Sequence, residues 1–399
     1  LEECDGVVDA LFGTGLSRAL SGAARRAVLR INASGKAVIA ADVPSGLSSD
    51  RGAVPGPAVR AERTVAFAAP KPCHLLPPAS GYCGRLVVAD IGIPRRILET
   101  RGLREFLTEA QDVRALLPAR RIESNKGDFG RLAIIAGSRG KPGAAILAAC
   151  GALRGGAGLV TVFCAESLAP LVVAALPEAM TEALPEAGGA VAASAVGPLR
   201  RALSRFDAAV VGPGLGVSAE AVAFLEALLP TTRLPMLVDA DGLNAFAGRP
   251  GFFRRHRGPL VLTPHPGEAG RLLGETAREV QADRFGAART LARASGAVAL
   301  LKGARTLVAD RTGRITANPT GTPLLAAAGS GDVLSGLIGA LLAGGLAAAE
   351  AAAAGAWLHG SAGEALEATL GDAGLLARQL ADAIPVARRD LRREPASGE

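Results

Sequence analysis

Aromatic residues are scarce in this chain: one Trp, one Tyr and eleven Phe make up 3% of its 399 residues. Basic residues outnumber acidic ones 44 to 37, yet the doublets Arg25-Arg26, Arg120-Arg121, Arg254-Arg255 and Arg392-Arg393 are scattered. Without aromatic platforms between clustered cations, a nucleic-acid surface is not expected. The excess charge suits anionic small molecules. Cysteine is limited to positions 4, 73, 83, 150 and 164, an odd number with no CxxC or metal spacing. That argues against a disulfide framework and a zinc site, and for reduced, packed thiols in the cytoplasm. No uncharged run reaches the length of a membrane span. Val333 to Ala349 carries no charge, but it is rich in Ala and Gly and is followed by Glu350 and His359, which reads as a buried core helix. Neither a GxSxG elbow nor a Walker GxxxxGK[ST] loop occurs. No targeting segment precedes the first strand-like run, and with Leu1 in place of Met the true start is expected upstream.

What the chain does have is alternation. A length of 399 residues suits two or three domains. Strand-like runs at 5–16, 37–47, 64–69 and 85–93, with a helical stretch from about Leu20 to Asn32, describe a first α/β unit. A charged, mostly helical stretch from about Ile93 to Asn125 reads as a linker. Beyond it, a strand at Arg131 to Gly137, a Gly-rich loop, a helix from about Ala144 to Arg154 and a strand at Gly158 to Cys164 repeat the β-α-β period. Apolar runs at 206–216, 235–246, 259–274 and 297–310 continue it. Each ends in glycine and polar residues, as buried parallel strands with functional loops at one edge should. The loops GPGLG, DADGLN, TPHPGE and KGAR are therefore expected on one rim.

The stretch Asn318 to Leu342, NPTGTPLLAAAGSGDVLSGLIGALL, organises the rest. It reads as a turn-rich loop running into an apolar helix. Glycines 329 and 331 leave backbone N–H groups open where a helix start has unpaired donors and a positive dipole end, a place that binds phosphate. A carboxylate beside a bound anion, Asp332, is a poor phosphate ligand but a good base for a hydroxyl attacking phosphorus. The bland alternative is that Ser330 or Asp332 only caps a buried helix.

Around that rim, Lys302 is one of only five lysines and supplies a point charge suited to phosphate; a solvated strand-end lysine is the plain alternative. Arg305 and Thr306 offer further donors. His265 sits between two prolines, in a rigid loop where it is either a ligand or idle. Asp239, Asp241 and Asn244 are able to reach Mg2+ through water, or they are ordinary helix-start residues. In the first unit, Asp9 before GTG and Asp42 before PSG stand at strand ends, where turn formation alone also explains them.

Together these motifs resemble a known family. NPTGTP…AGSGDVLSG with TPHPGE, GPGLG, DADGLN, LLKGARTLV and NKGDFGRLAIIAGS looks like the ADP- or ATP-dependent (S)-NAD(P)H-hydrate dehydratases, over about residues 110 to 390. VVDALFGTGLSRAL…ADVPSGL…TVAF…KP…DIGIP is similar to the C-terminal half of the NAD(P)H-hydrate epimerase domain of the same bifunctional repair enzymes, over residues 1 to 95. The resemblance implies a ribokinase-like three-layer α/β domain preceded by a partial Rossmann-like α/β domain. The implied division is a partial epimerase at 1–100, a linker at 101–124, the dehydratase at 125–390 and a polar tail at 391–399.

It also implies a lyase that restores hydrated NADH or NADPH (NADHX, NADPHX) at the expense of ADP, giving AMP and phosphate, with Mg2+ expected. Asp332 would deprotonate the ring hydroxyl. Lys302, Gly303, Ala304, Arg305, Thr306 and Gly331 would contact the nucleotide, and Ala144, Gly214, His265 and Asp332 the hydrated coenzyme. In the epimerase (isomerase) part, Asp9 and Ser45 match K+-binding positions, and Gly13, Thr14, Gly15, Leu16, Ser17, Arg18, Ala19 and Asp42 match hydrate-binding ones. The family's Asn-rich hydrate loop, with a further K+ ligand, lies upstream of the matched stretch, so epimerase activity is not expected. Leu324, Ala327 and Ala328 stand where Gly, Thr and Gly are more usual. A homo-oligomer without nucleic-acid or membrane partners is expected. Two other readings stay open: a ribokinase-like kinase of a vitamin precursor, since GSGD serves both chemistries, and a non-catalytic binding protein.

Overall fold

The structure, a computed structural model, describes residues 3–94, 96–97, 102–117 and 119–393. The polar tail expected after 391 lies outside the described residues beyond Arg393, as do Arg101 and Pro118 of the expected linker. The chain divides into two compact units, one running to Arg104 and including Gln281–Phe285, the other made of the remainder.

The first unit is built on four parallel strands in sequence order, β1 (Gly6–Asp9), β2 (Ala37–Ala41), β3 (Arg63–Phe67) and β4 (Arg85–Ala89), with helix α1 (Gly22–Ala33) between the first two. Period-2 alternation sorts their side chains. Val38, Ala40 and Ala66 are buried, and Val28 and Ile31 of α1 pack with Val38, Leu20 and Val59. The register puts Val8 opposite Ile39 and Val65 opposite Val87 on the other face. There Val8, Ile39, Phe67 and Val87 are exposed, a face that is apolar in sequence yet uncovered.

The second unit contains a ten-stranded sheet. In chain order its strands are β5 (Glu105–Leu107), β6 (Arg131–Ile135), β7 (Leu159–Ala165), β8 (Met180–Leu184), β9 (Ala208–Val211), β10 (Met236–Val238), β11 (Leu260–Leu262), β12 (Val298–Leu301), β13 (Leu307–Ala309) and β14 (Ile315–Ala317). In space they run β5-β14-β13-β12-β11-β10-β9-β6-β7-β8. From β8 to β12 every pairing is parallel. The strands β6, β9, β10 and β11 are buried almost throughout, so both sheet faces are covered, as in a three-layer α/β fold.

Two features depart from the sequence expectation. The run 297–310 is not one parallel strand: it folds at Lys302–Thr306 into the antiparallel pair β12–β13, and β14 adds a third antiparallel strand. Gly303 and Arg305, both at positive φ, make that fold. The second feature lies in the stretch expected to be a linker, where Glu105–Leu107 pairs in parallel with β14 at the sheet edge, followed by helix α2 (Ala110–Leu116).

Helix α3 (Pro142–Gly155) follows β6, and helix α5 (Ser330–Ala343) packs closely against it; α4 (Pro266–Leu273) follows β11. Small residues allow the close approach: a Cβ on Gly336 would overlap the backbone of Ala148, and one on Gly151 the backbone of Val333. Helices α6 (Ala348–Leu370) and α7 (Ala377–Arg393) complete this side.

Candidate active site

Parallel order places the ends of β6, β9, β10, β11 and β12 side by side, so the loops after them line one rim. Hydrogen bonds tie these loops together. Gly137 N–H donates to Pro213 O at 2.8 Å, Ser138 Oγ to Gly214 O at 2.7 Å, and Lys302 N–H to Pro264 O at 2.9 Å. Gly214 is at positive φ, and a Cβ there would meet Ala144 Cβ at 2.9 Å, so these two residues touch at the start of α3. Beside them Lys141 pairs with Asp241 at 2.8 Å, and Asp241 also accepts Gly216 N–H at 2.9 Å.

Helix α5 opens on this rim. Gly329 is its N-cap at φ 84°, a left-handed conformation that favours glycine, and Asp332 falls in the first turn. The N-cap makes no side-chain bond, so Ser330 and Asp332 do not cap the helix in the ordinary way. Instead the buried His359 of α6 reaches the loop, its Nε2 3.0 Å from Ser330 O and 3.3 Å from Ser330 Oγ. Burial drives the His359 imidazolium down to about 4, so the ring is neutral and Nε2–H donates to the carbonyl.

Lys302 faces this turn, its Nζ 3.4 Å from where a Cβ on Gly331 would stand. It pairs with the buried Asp239 at 2.9 Å and lies 3.8 Å from Glu268. Ser335, one turn beyond Asp332 on α5, donates to the other oxygen of Asp239 at 2.6 Å. Burial alone would depress the lysine, but Asp239, Glu268 and Asp332 together raise its affinity for the proton. Asp332 is displaced in the same sense. Burial first, then the negative charges of Asp239, Asp241 and Glu268, push its carboxyl from 3.8 up to about 7, with Lys302 pulling the other way.

His265 is the N-cap of α4: its Nδ1 accepts Gly267 N–H at 3.0 Å and Glu268 N–H at 3.3 Å, while Glu268 returns the bond to His265 N–H at 2.8 Å. Burial lowers its pKa, and Lys302 and Arg271 add to this against the pull of Glu268. The ring is half exposed and presents Nε2 beside Glu268 at 3.5 Å. Of the residues picked out in the sequence, Lys302, Gly331, His265 and Asp332 thus share one charge network with Asp239. Ala144 and Gly214 form a second patch on the rim, with Lys141–Asp241 beside it. Gly303 and Ala304 are exposed at the fold of the KGART loop, and Thr306 Oγ1 donates to Gly303 O at 3.1 Å.

Glu268, Ser335 and His359 carry structural links here that the sequence reading did not assign. The H-x-x-E spacing of a capping box was a signal for Glu268. Nothing local marked the other two. Among the described residues no group of three His, Cys, Asp or Glu could hold a metal ion. Asp239 and Asp241 are paired with lysines, and Asn244 accepts from Arg271 at 2.9 Å.

In the first unit, Asp9 is buried at the end of β1. It accepts Ser45 N–H at 2.7 Å and Ser45 Oγ–H at 2.6 Å, and Phe12 N–H donates to Ser45 Oγ at 2.9 Å. The turn of Gly13, Thr14, Gly15, Ser17, Arg18 and Ala19 is exposed, with Leu16 partly buried. Asp42, at φ 64°, accepts Phe67 N–H at 2.9 Å and pairs with Lys71.

Known proteins fit this layout. The family pattern described as NAD(P)H-hydrate dehydratase matches residues 132–386, and that of the YjeF-related protein N-terminus matches residues 1–73. The chain is 43% identical to the bifunctional NAD(P)H-hydrate repair enzyme Nnr of Moorella thermoacetica, over 98% of this chain and 74% of that protein. The Escherichia coli enzyme of the same name is 39% identical over 95% and 70%. Among solved structures, the ADP/ATP-dependent NAD(P)H-hydrate dehydratase of Bacillus subtilis, co-crystallised with ATP and Mg2+, is 33% identical at a TM-score of 0.63, covering 72% of this chain and 98% of that one. A ribokinase-like superfamily protein of Enterococcus faecalis is 25% identical at a TM-score of 0.60, over 72% and 96%. The fold is ribokinase-like, and the dehydratase reading prevails over the vitamin-precursor kinase. With both family patterns in order and relatives along nearly its whole length, the chain belongs to the bifunctional NAD(P)H-hydrate repair enzymes and carries their NAD(P)H-hydrate dehydratase domain.

Proposed function

We propose that the rim of the second unit dehydrates the S form of NADHX or NADPHX with ADP as phosphoryl donor, and that Asp332 is the base. Asp332 takes the proton of the ring hydroxyl as that oxygen attacks the terminal phosphorus of the nucleotide. AMP leaves; the ring C–O bond then breaks with phosphate carrying off the captured oxygen, and loss of a proton from the neighbouring ring carbon to solvent restores the C=C bond. The backbone N–H groups of Gly329 and Gly331 and the helix start behind them stabilise the charge that develops on phosphorus. Lys302 adds a fixed positive charge, held in place by Asp239, which is itself held by Ser335. The nucleotide lies along Lys302, Gly303, Ala304, Arg305, Thr306 and Gly331. The hydrated coenzyme lies against Ala144, Gly214 and His265. A base that titrates near 7 is matched to work at neutral pH.

The observation that carries this reading is the seating of Asp332 in the first turn of a glycine-opened helix, within the field of Lys302. Mg2+ would arrive on the nucleotide phosphates with its own waters, because the nearby carboxylates are already engaged. In the first unit, the carboxylate of Asp9, the hydroxyl of Ser45 and the carbonyl of Phe12, 3.3 Å from that hydroxyl, offer an oxygen-only donor set with one negative charge. That set suits K+, with Asp42 and the 13–19 turn toward the hydrate. The activity we assign is the dehydratase; the YjeF-related pattern matches residues 1–73 of the first unit. No helix among the described residues is long and apolar enough to cross a membrane.

The test is incubation of the purified chain with S-NADHX and ADP, following the return of dihydronicotinamide absorbance, with AMP and phosphate measured in parallel. No NADH with either ADP or ATP, alongside phosphorylation of a hydroxymethyl pyrimidine or thiazole, would overturn the assignment.

A further inference from the structure

Helix α3 starts at the active rim and ends at Gly155, about 20 Å away at 1.5 Å per residue. Two guanidiniums converge on that far end. A Cβ placed on Gly156 would lie 2.7 Å from Arg120 Nη2 and 3.0 Å from Arg388 Nη1, so the two side chains flank one point. Arg120 donates to Gly156 O and Arg388 Nη1 to Gly155 O at 3.2 Å. Arg392, one turn beyond Arg388 on α7, sends Nη2 toward Leu117 O at 3.5 Å.

Capping the end of a helix explains part of this, since its last carbonyls attract cations. It does not explain the crowding. Each guanidinium has five N–H donors, and one carbonyl uses one of them. Among the described residues neither Arg120 nor Arg388 has a carboxylate within ion-pair distance. Burial, together with Arg392 and Arg120, lowers Arg388 to about 10, so like charges are gathered beside a partly buried guanidinium. The site is also hollow: Arg120 and Arg388 line a cavity of about 600 Å3 whose wall includes Leu116, Leu341 and Leu346. The two acids on that wall are committed elsewhere, Asp128 to Asn125 N–H at 2.9 Å and Glu350 to Ala347 N–H at 3.2 Å.

We propose that Arg120 and Arg388, with Arg392 alongside, form a second anion site that takes phosphate, either free or as a small monoester. The planar forks fit phosphate oxygens in pairs, and the apolar wall gives room for the organic group of a monoester. The site is separate from the nucleotide loop and does not depend on the chemistry assigned there.

Two measurements on the full chain test it. In the first, thermal unfolding is followed while inorganic phosphate or phenyl phosphate is titrated at constant ionic strength against chloride. A saturable rise in Tm is expected, retained in Lys302→Ala and lost when Arg120→Gln/Arg388→Gln is added to that variant. A rise that survives in the combined variant, or disappears in Lys302→Ala alone, overturns the proposal. In the second, on the wild-type chain, phosphate should slow phenylglyoxal modification of Arg120 and Arg388 at least fivefold by peptide mass spectrometry. Equal labelling with and without phosphate also overturns it, whether or not the variants fold. Tighter saturation by phenyl phosphate identifies a monoester as the ligand, and tighter saturation by inorganic phosphate identifies the free ion.

Discussion

Replacing Asp332 with Asn should make the dehydratase unit more stable at pH 8 while removing its turnover. Asp332 is displaced upward from 3.8 to about 7 in the folded protein, so between those values the folded chain holds a proton that the unfolded chain releases. The sign follows: stability is lost as pH rises from about 4 to about 7, and the full cost of the ionised carboxylate is present above 7. At 1.36 kcal/mol per decade of proton affinity, that cost is at most about 4 kcal/mol. Solvent reaching the half-buried carboxylate and relaxation around it bring the expected gain to about 1–2 kcal/mol. Asn keeps the shape and removes the charge. Trp357, the only tryptophan, is 7% exposed on α6 of the same unit, so its fluorescence in urea reports this unfolding. The variant should exceed wild type at pH 8, and the difference should fall by more than half at pH 5. Nucleotide binding should persist, and kcat should drop by about 10²–10⁴ as for loss of a general base. An equal difference at both pH values, or a variant less stable than wild type at pH 8, would refute the link between this carboxylate's burial and its role.

The same displacement predicts that kcat/KM of the wild type rises with pH and levels off above about 7. Lys302→Met removes the charge that holds Asp332 down, so the rising limb should move to higher pH while the KM for ADP increases roughly tenfold or more, by one charge-assisted contact; an unmoved limb counts against their coupling. Ala240 stands at φ 51° and ψ −119° between Asp239 and Asp241, a conformation suited to glycine, so Ala240→Gly should stabilise by about 1 kcal/mol in the Trp357 urea assay. Gly336→Ala should cost about 2 kcal/mol or more in that assay, because its methyl meets the backbone of Ala148.

Much of the site could be read along the chain because loop chemistry is local. Gly329 and Gly331 before an apolar run announce a helix start with open N–H groups, and the strand-end loops announce a common rim. The β-α-β period gave strands that the structure places at Arg131–Ile135, Leu159–Ala165 and Ala208–Val211. Periodicity misled at 297–310, where two short buried strands of an antiparallel pair have the same apolar texture as one long strand. Glu105–Leu107 escaped notice because three residues carry too little pattern. Ser335 and His359 were hidden for a different reason: each lies on a helix face that reads as core, and its role depends on a partner 96 or 29 residues away.

By itself, then, the order of residues determined most of the elements, the family and the identity of the candidate base, since turn glycines, helix starts and motif order depend on neighbours in the chain. Tertiary packing alone decided the proton affinities at the rim, the pairing of Lys302 with Asp239 and the gathering of Arg120 with Arg388. Charge interactions and desolvation depend on distance and on exclusion of water, and both are fixed only when distant segments close on one another.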